Sequence, residues 1–197
     1  MKKSLLVFGT CFCLLLTSCS PVNKLSKTVE EAANTLQEAV STTPAPTVAP
    51  TPAPVETKLK LKKKGKVKNW TICVKKAEVK SKIKNGTYRL FKPEKGDRFV
   101  VLTATVRNTG KKKDTFLPRV GYANEMLTAT LYYKGEYEYQ PLELLSYDKD
   151  LVQSEIKPLS GSTGIIVFEV PKKVAKAKGK LTVKIGTEQE SLIYSLK

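Results

Sequence analysis

From residue 58 onward, the apolar residues of this 197-residue chain recur at every second position, and no stretch there convincingly carries the spacing of an amphipathic helix. Successive side chains of a strand point to opposite faces, so this period predicts half-buried strands. The segment 58–62, Lys-Leu-Lys-Leu-Lys, alternates cleanly. Trp70, Ile72 and Val74 share one face, and Thr71, Cys73 and Lys75 the other. Within 99–108, Val100, Leu102, Ala104 and Val106 fall on one side. Residues 126–133, then Lys134-Gly135, then 136–139 read as a hairpin with glycine where the turn needs a positive φ. Residues 164–170 are apolar enough for a central strand, which Pro171 stops. Leu181, Val183 and Ile185 alternate with Thr182 and Lys184, and 191–196 supply a last strand. About seven to nine short antiparallel strands predict an all-β fold, a β-sandwich spanning residues 58–197. A domain of about 140 residues buries roughly two-thirds of its unfolded surface, enough for a core of its own.

The first residues follow a different logic. Lys2 and Lys3 precede an apolar run from Leu5 to Leu16, interrupted by Gly9 and Thr10. That is the layout of a secretory signal peptide. The run is too short to cross a bilayer as a lone helix, which takes about 20 residues. It ends in Leu16-Thr17-Ser18-Cys19, which resembles the lipobox of bacterial lipoproteins: an aliphatic residue, two small ones, then cysteine. The resemblance implies cleavage between Ser18 and Cys19, loss of residues 1–18, and acylation of the Cys19 thiol. Two acyl chains, each adding about 0.8 kcal/mol per buried methylene, hold a protein stably on a membrane. The expected location is therefore extracytoplasmic, on the outer face of the cell membrane, or on an outer membrane where the envelope has two. Cys11 and Cys13 behave as small apolar residues of the discarded segment. Cys73 is the one other cysteine, so acylated Cys19 leaves no intrachain disulfide and the core must hold the fold.

Residues 19–40 begin with Ser20-Pro21, a helix start, and place Val22, Leu25, Val29, Ala32, Ala33, Leu36 and Val40 at steps near three and four. At about 20 residues such a helix is marginal alone in water. A partly helical spacer, a helix lying on lipid and a short coiled coil are the open readings. Residues 41–57 hold five prolines among Thr, Ala and Val, which favours an extended linker with a reach on the order of 45 Å. The plan is an anchor, a stalk and a displayed domain.

Charge is placed unevenly. Four lysines before residue 58 are balanced by Glu30, Glu31, Glu38 and Glu56, so the whole formal +17 lies in residues 58–197. Residues 58–84 alone carry twelve lysines against Glu78. The seven that open the domain, Lys58, Lys60, Lys62, Lys63, Lys64, Lys66 and Lys68, form the candidate contact for an anionic cell-wall or host polymer. Arginine occurs four times in the chain, at 89, 98, 107 and 119. Arginine is the residue of bidentate base-edge and phosphate recognition, and lysine a mobile point charge. The bias argues for diffuse attraction to a polyanion and against sequence-specific nucleic-acid binding.

Two segments are familiar together. Residues 92–113 run from Gly96 to Asn108-Thr109-Gly110, and residues 156–172 carry Pro158, Gly161 and Phe168-Glu169-Val170-Pro171. With residues 70–79, they resemble the telokin-like, immunoglobulin-like domain of bacterial surface lipoproteins of unknown function. The resemblance covers most of residues 66–186 and implies an Ig-like sandwich behind a lipid anchor, with no assigned activity. Leu159 and Ser160 separate the family's usual Pro-Gly pair, lengthening that loop.

Nothing in the chain assembles a reaction centre. Histidine is absent, which removes the commonest general base and metal ligand. Cys73, with no base partner, reads as an inert, half-exposed strand residue. Glu136 with Glu138, and Asp148 with Asp150, read as acids on exposed turns and strands. A calcium loop from Asp148 fails, because Gln153 stands where glycine is needed and Leu159 where the bidentate glutamate is needed. Tyr132, Tyr133, Tyr137 and Tyr139 read as cross-strand packing, with a sugar-stacking face as the alternative. The expectation is a non-enzymatic binding or scaffolding domain without metal or cofactor. The alternative is an accessory subunit that binds a protein partner of an envelope complex.

Overall fold

The computed structural model describes residues 53–87, 89–121, 125–177 and 179–196. The signal segment, the Ser18–Cys19 junction, the 19–40 segment and the linker up to residue 52 lie outside them. The first strands are Val55–Lys60 (β1), Lys64–Val67 (β2), Trp70–Lys80 (β3), Ile83–Asn85 (β4), Arg89–Phe91 (β5), Asp97–Asn108 (β6) and Asp114–Phe116 (β7). Then come Thr128–Tyr133 (β8), Tyr137–Tyr139 (β9), Pro141–Leu142 (β10), Ser154–Ile156 (β11), Gly161–Pro171 (β12), Leu181–Gly186 (β13) and Glu190–Ser195 (β14). Ten of them form two five-stranded sheets, ordered β1-β14-β13-β8-β9 and β10-β12-β6-β3-β2. The other four pair as two short ribbons, β11-β7 and β4-β5. The domain is a β-sandwich. Its strands outnumber the seven to nine legible in sequence because pieces such as β4, β7 and β10 have two or three residues, too few to express a period.

The alternation does what it predicts. Ile72, Val74, Leu102, Ala104, Val106, Ile166 and Phe168 project from one sheet against Leu131, Val183, Ile185, Leu192 and Tyr194 of the other, all excluded from solvent. Full burial of each large apolar side chain contributes about 1.5–3 kcal/mol. The continuous apolar run at 164–170 has a separate cause. Ile166, Phe168 and Val170 face the main core, while Val167 faces outward into a second cluster with Ile83, Phe99, Val101 and Leu144. The β4–β5 ribbon and the loop after β10 supply the far side of that cluster through Ile83, Phe91, Leu144 and Tyr147. β12 is therefore buried on both faces, as a central strand between β10 and β6.

Several details depart from the sequence reading. β1 begins at Val55, three residues inside the segment read as linker, and it pairs in parallel with β14, from Val55↔Glu190 to Lys60↔Ser195. One turn of helix, Lys172–Ala175 (α1), follows β12 and buries Val174 and Ala175. Four residues cannot show a helical period. Cys73 is buried rather than half-exposed, with Lys64 and Thr105 as cross-strand neighbours. Asp150 is no exposed turn acid: its carboxylate accepts the backbone N–H groups of Leu144 (2.6 Å) and Val152 (3.0 Å). Burial pushes its pKa up, against those two hydrogen bonds, which pull it down. At the hairpin, Gly135 has the expected positive φ of 78°, and Lys134 shares it at 57°.

The Asn108-Thr109-Gly110 motif has a packing explanation. Asn108 is completely buried, and its amide nitrogen donates to the carbonyls of Lys112 (2.8 Å) and Ile156 (3.0 Å). Its amide oxygen accepts from the Gly110 N–H (2.8 Å). One side chain thus terminates β6 and fixes the basic loop that follows.

Candidate functional site

The seven candidate lysines lie on one connected stretch, and its path decides what they can meet. β1 runs along the edge of the first sheet. At residues 61–63 the chain crosses to the second sheet, and β2 runs back antiparallel along β3, Lys64↔Cys73 to Val67↔Trp70. The stretch is thus an edge strand that serves both sheets. Leu59, Leu61 and Val67 turn toward the core, and the lysines between them turn outward. Gly65 completes the seam, because a Cβ there would stand 2.6–2.7 Å from the side chains of Leu192 and Leu59. Tyr194 bolts the crossing from the other side: the one proton of its buried hydroxyl is shared between the carbonyls of Ile72 (2.9 Å) and Lys63 (3.2 Å). Burial raises the phenol far above its usual pKa, with Cys73 adding to the shift, so it stays a neutral donor.

This geometry divides what the sequence presents as one cluster. Lys58 and Lys60 sit opposite Ile193 and Ser195, on the outer face of the first sheet. Lys64 and Lys66 sit opposite Cys73 and Thr71, on the outer face of the second. Lys62 and Lys63 occupy the corner, and Lys68 the turn into β3. All seven are exposed, and among the described residues none lies within ion-pair distance of a carboxylate. Lys62 (φ 69°) and Lys68 (φ 46°) adopt the left-handed conformation, where a side chain costs about 1–2 kcal/mol relative to right-handed backbone and glycine is at ease. The Lys68 N–H is held by the Glu190 carboxylate at 2.5 Å. The outcome is a cationic rim wrapped around an edge, not a cationic plane.

The other candidate groups do not converge. Tyr133 and Tyr137 pack at 5.8 Å between ring centres, and Tyr139 leans on the core. Tyr132 stands on the opposite face of β8, in register with Glu138. The four rings therefore form no shared stacking face. Asp148 is exposed, while Asp150 is committed to the backbone. Among the described residues, no three Cys, Asp or Glu side chains gather closely enough to hold a metal ion, and no helix is long and apolar enough to cross a membrane. Sequence reasoning passed over a second basic group, Lys172, Lys173 and Lys176 around α1 with Lys180 beyond it, all exposed. Its signal was available in the lysine-alternating stretch 172–180.

Comparison with known proteins gives a consistent picture. Residues 59–190 match the family model described as a domain of unknown function, DUF4352. An uncharacterized β-sandwich protein from Clostridium difficile superposes with a TM-score of 0.55 at 15% identity, covering 76% of this chain and 100% of its own. The yjhA protein from Bacillus subtilis does so with a TM-score of 0.50 at 13% identity, covering 70% and 99%. At these identities the likeness speaks to the fold alone. None of the curated proteins compared with the chain matches it.

Proposed function

Since the chain belongs to the DUF4352 family, whose description carries no activity, we propose that it is a lipid-anchored extracytoplasmic protein whose Ig-like sandwich binds flexible anionic polymers along the β1–β2 edge. The observation that carries the reading is the set of seven exposed lysines without carboxylate partners among the described residues. Two of them keep a side chain where glycine would be less strained. Because Lys58 and Lys60 face away from Lys64 and Lys66, a flat anionic surface meets only one pair, whereas a chain such as a wall polymer or glycosaminoglycan can bend around both. The anchor belongs to the same proposal, with Cys19 as the acylated residue and Ser18–Cys19 as the cut.

Replacement of Lys58, Lys60, Lys62, Lys63, Lys64, Lys66 and Lys68 by Gln is expected to abolish retention on heparin. Lys58/Lys60 and Lys64/Lys66 double variants should each lose part of it. Binding by the unmodified protein should fade by about 0.5 M salt, as screening shortens the reach of exposed charge. Retention that ignores both salt and the seven substitutions overturns the polymer reading. Separately, Cys19→Ser should lose acyl labelling and leave the membrane fraction, and its persistence there overturns the anchor.

A further inference from the structure

The crossing of the chain from β1 to β2 leaves part of the second sheet uncovered. It occurs level with Val74, where the Lys62 N–H donates to the Val74 carbonyl at 2.7 Å. β2 then runs back toward Trp70. Beyond the bulge residue Lys75, residues 76–80 of β3 therefore pair with β6 on one side, and among the described residues no strand pairs with 75–80 on the other. Between this bare edge and the ends of β13 and β14 lies an open cleft of about 420 Å³, walled by Ala77, Val79, Val100, Ala175, Leu181 and Leu196, with Glu78 on its lining as well. Val79 is 47% exposed at its mouth. The chain enters the domain at Val55, level with Glu190, whereas the cleft lies at the Ser195 end of the same strand pair. It is thus at the end of the sandwich opposite Val55.

We propose that this edge and cleft form a docking site for an extended, acidic segment of another protein, added as a short strand on β3. Unpaired strand backbone supplies the hydrogen bonds for such an addition, and pockets for alternate side chains supply its selectivity. The cleft provides the apolar pocket. Charge names the partner. Lys75, Lys76 and Lys80 stand on the bare stretch, and Lys172, Lys173, Lys176 and Lys180 are exposed in the segment that forms the cleft's far wall. Glu78 is already occupied by Lys76 (2.9 Å) and Lys80 (3.7 Å). A second copy of this chain would bring lysines against lysines, with +17 in residues 58–197 of each copy. The bulge between Val74 and Lys76 further breaks the long flush edge that self-pairing needs. A segment alternating acidic with apolar residues satisfies backbone, cleft and charge together. The inference is independent of polymer binding on the β1–β2 edge and gives a protein partner a place of its own.

The test uses the full chain and a heptapeptide alternating Glu and Val, read by amide NMR and titration calorimetry. Binding should perturb the amides of residues 75–80 and of Leu181 and Leu196. It should weaken by about tenfold or more in Val79→Glu, which sets like charge against the peptide. It should survive glutamine at the seven lysines of residues 58–68. A Lys/Val peptide should not bind, and one with proline at alternate positions should lose affinity because its donors are gone. Equal binding of the proline peptide or the Lys/Val peptide overturns the proposal. So does indifference to Val79→Glu, absence of binding, or protection of amides 75–80 in the free protein by a second copy or by another part of this chain.

Discussion

The two halves of β3 belong to one strand, the first apolar and the second rich in lysine, and they fold into different environments. From Trp70 to Val74 the strand is sealed: β2 covers its edge, the Tyr194 hydroxyl reaches its backbone, and Trp70 meets Phe116 edge-on at 5.2 Å. From 75 to 80 the same strand is bulged, bare on one edge and rimmed by lysine. Both halves pair with the same neighbour, β6. What separates them is the point at which a different segment changes sheets. Local composition sets a strand's propensity, but the neighbour's route decides which part becomes structure and which part remains available.

Perturbations should divide along the same line. Trp70→Ala, in the sealed half, is expected to lower unfolding free energy by about 3–5 kcal/mol in denaturant titration, through lost burial and a cavity against Phe116. Asn108→Ala, directly opposite Trp70 in register, should cost about 2–3 kcal/mol by stranding two carbonyls and one N–H. It should also release the amides of 109–113 to faster hydrogen exchange. Tyr194→Phe keeps the ring and removes the bolt across the crossing, for about 1–2 kcal/mol. Faster amide exchange in β2 should accompany it, while residues 75–80 stay unchanged. In the bare half, Lys75→Gln should stay within about 0.5 kcal/mol of the parent. A loss there as large as that for Tyr194→Phe would erase the contrast.

The smallest expected effect is a titration. The hydrogen bond from Lys76 leads the causes that hold the Glu78 carboxyl below its ordinary pKa. A lowered folded-state value means that the pair's contribution is present above the ordinary carboxylate pKa and is lost as pH falls through the lowered one. By NMR, Glu78 should titrate below a free glutamate, and Lys76→Gln should move its midpoint back up. An unmoved midpoint would remove Lys76 as the cause.

Much of the fold was legible, and the reasons are specific. Trp70, Ile72 and Val74, and Leu181, Val183 and Ile185, kept period two with one face on the main core, whereas β6 keeps it only beyond Leu102, because Phe99 and Val101 turn to the second cluster. Residues 164–170 lost the period because Val167 has a second cluster to fill. What stayed hidden depends on long-range placement. Cys73 was read as half-exposed because its cross-strand neighbours, Lys64 of β2 and Thr105 of β6, are set by long-range pairing that no local pattern announces. The lysines of 58–68 looked like one patch because sequence proximity says nothing about a change of sheet between Lys60 and Lys64. The stretch 172–180 advertised its charge, yet only the fold puts it beside the uncovered half of β3.

The parallel pairing of β1 with β14 also has a mechanical side. Tension that enters at Val55, opposed at the far end of the sandwich, runs along β1 rather than across it. All the rungs from Val55↔Glu190 to Lys60↔Ser195 then share the load in shear, instead of opening one at a time like a zipper. The Tyr194 hydroxyl on the Lys63 carbonyl holds the strap just beyond its last rung. A domain tethered by its N-terminal side and gripped at its opposite end would therefore resist being pulled apart along the axis on which such a pull arrives.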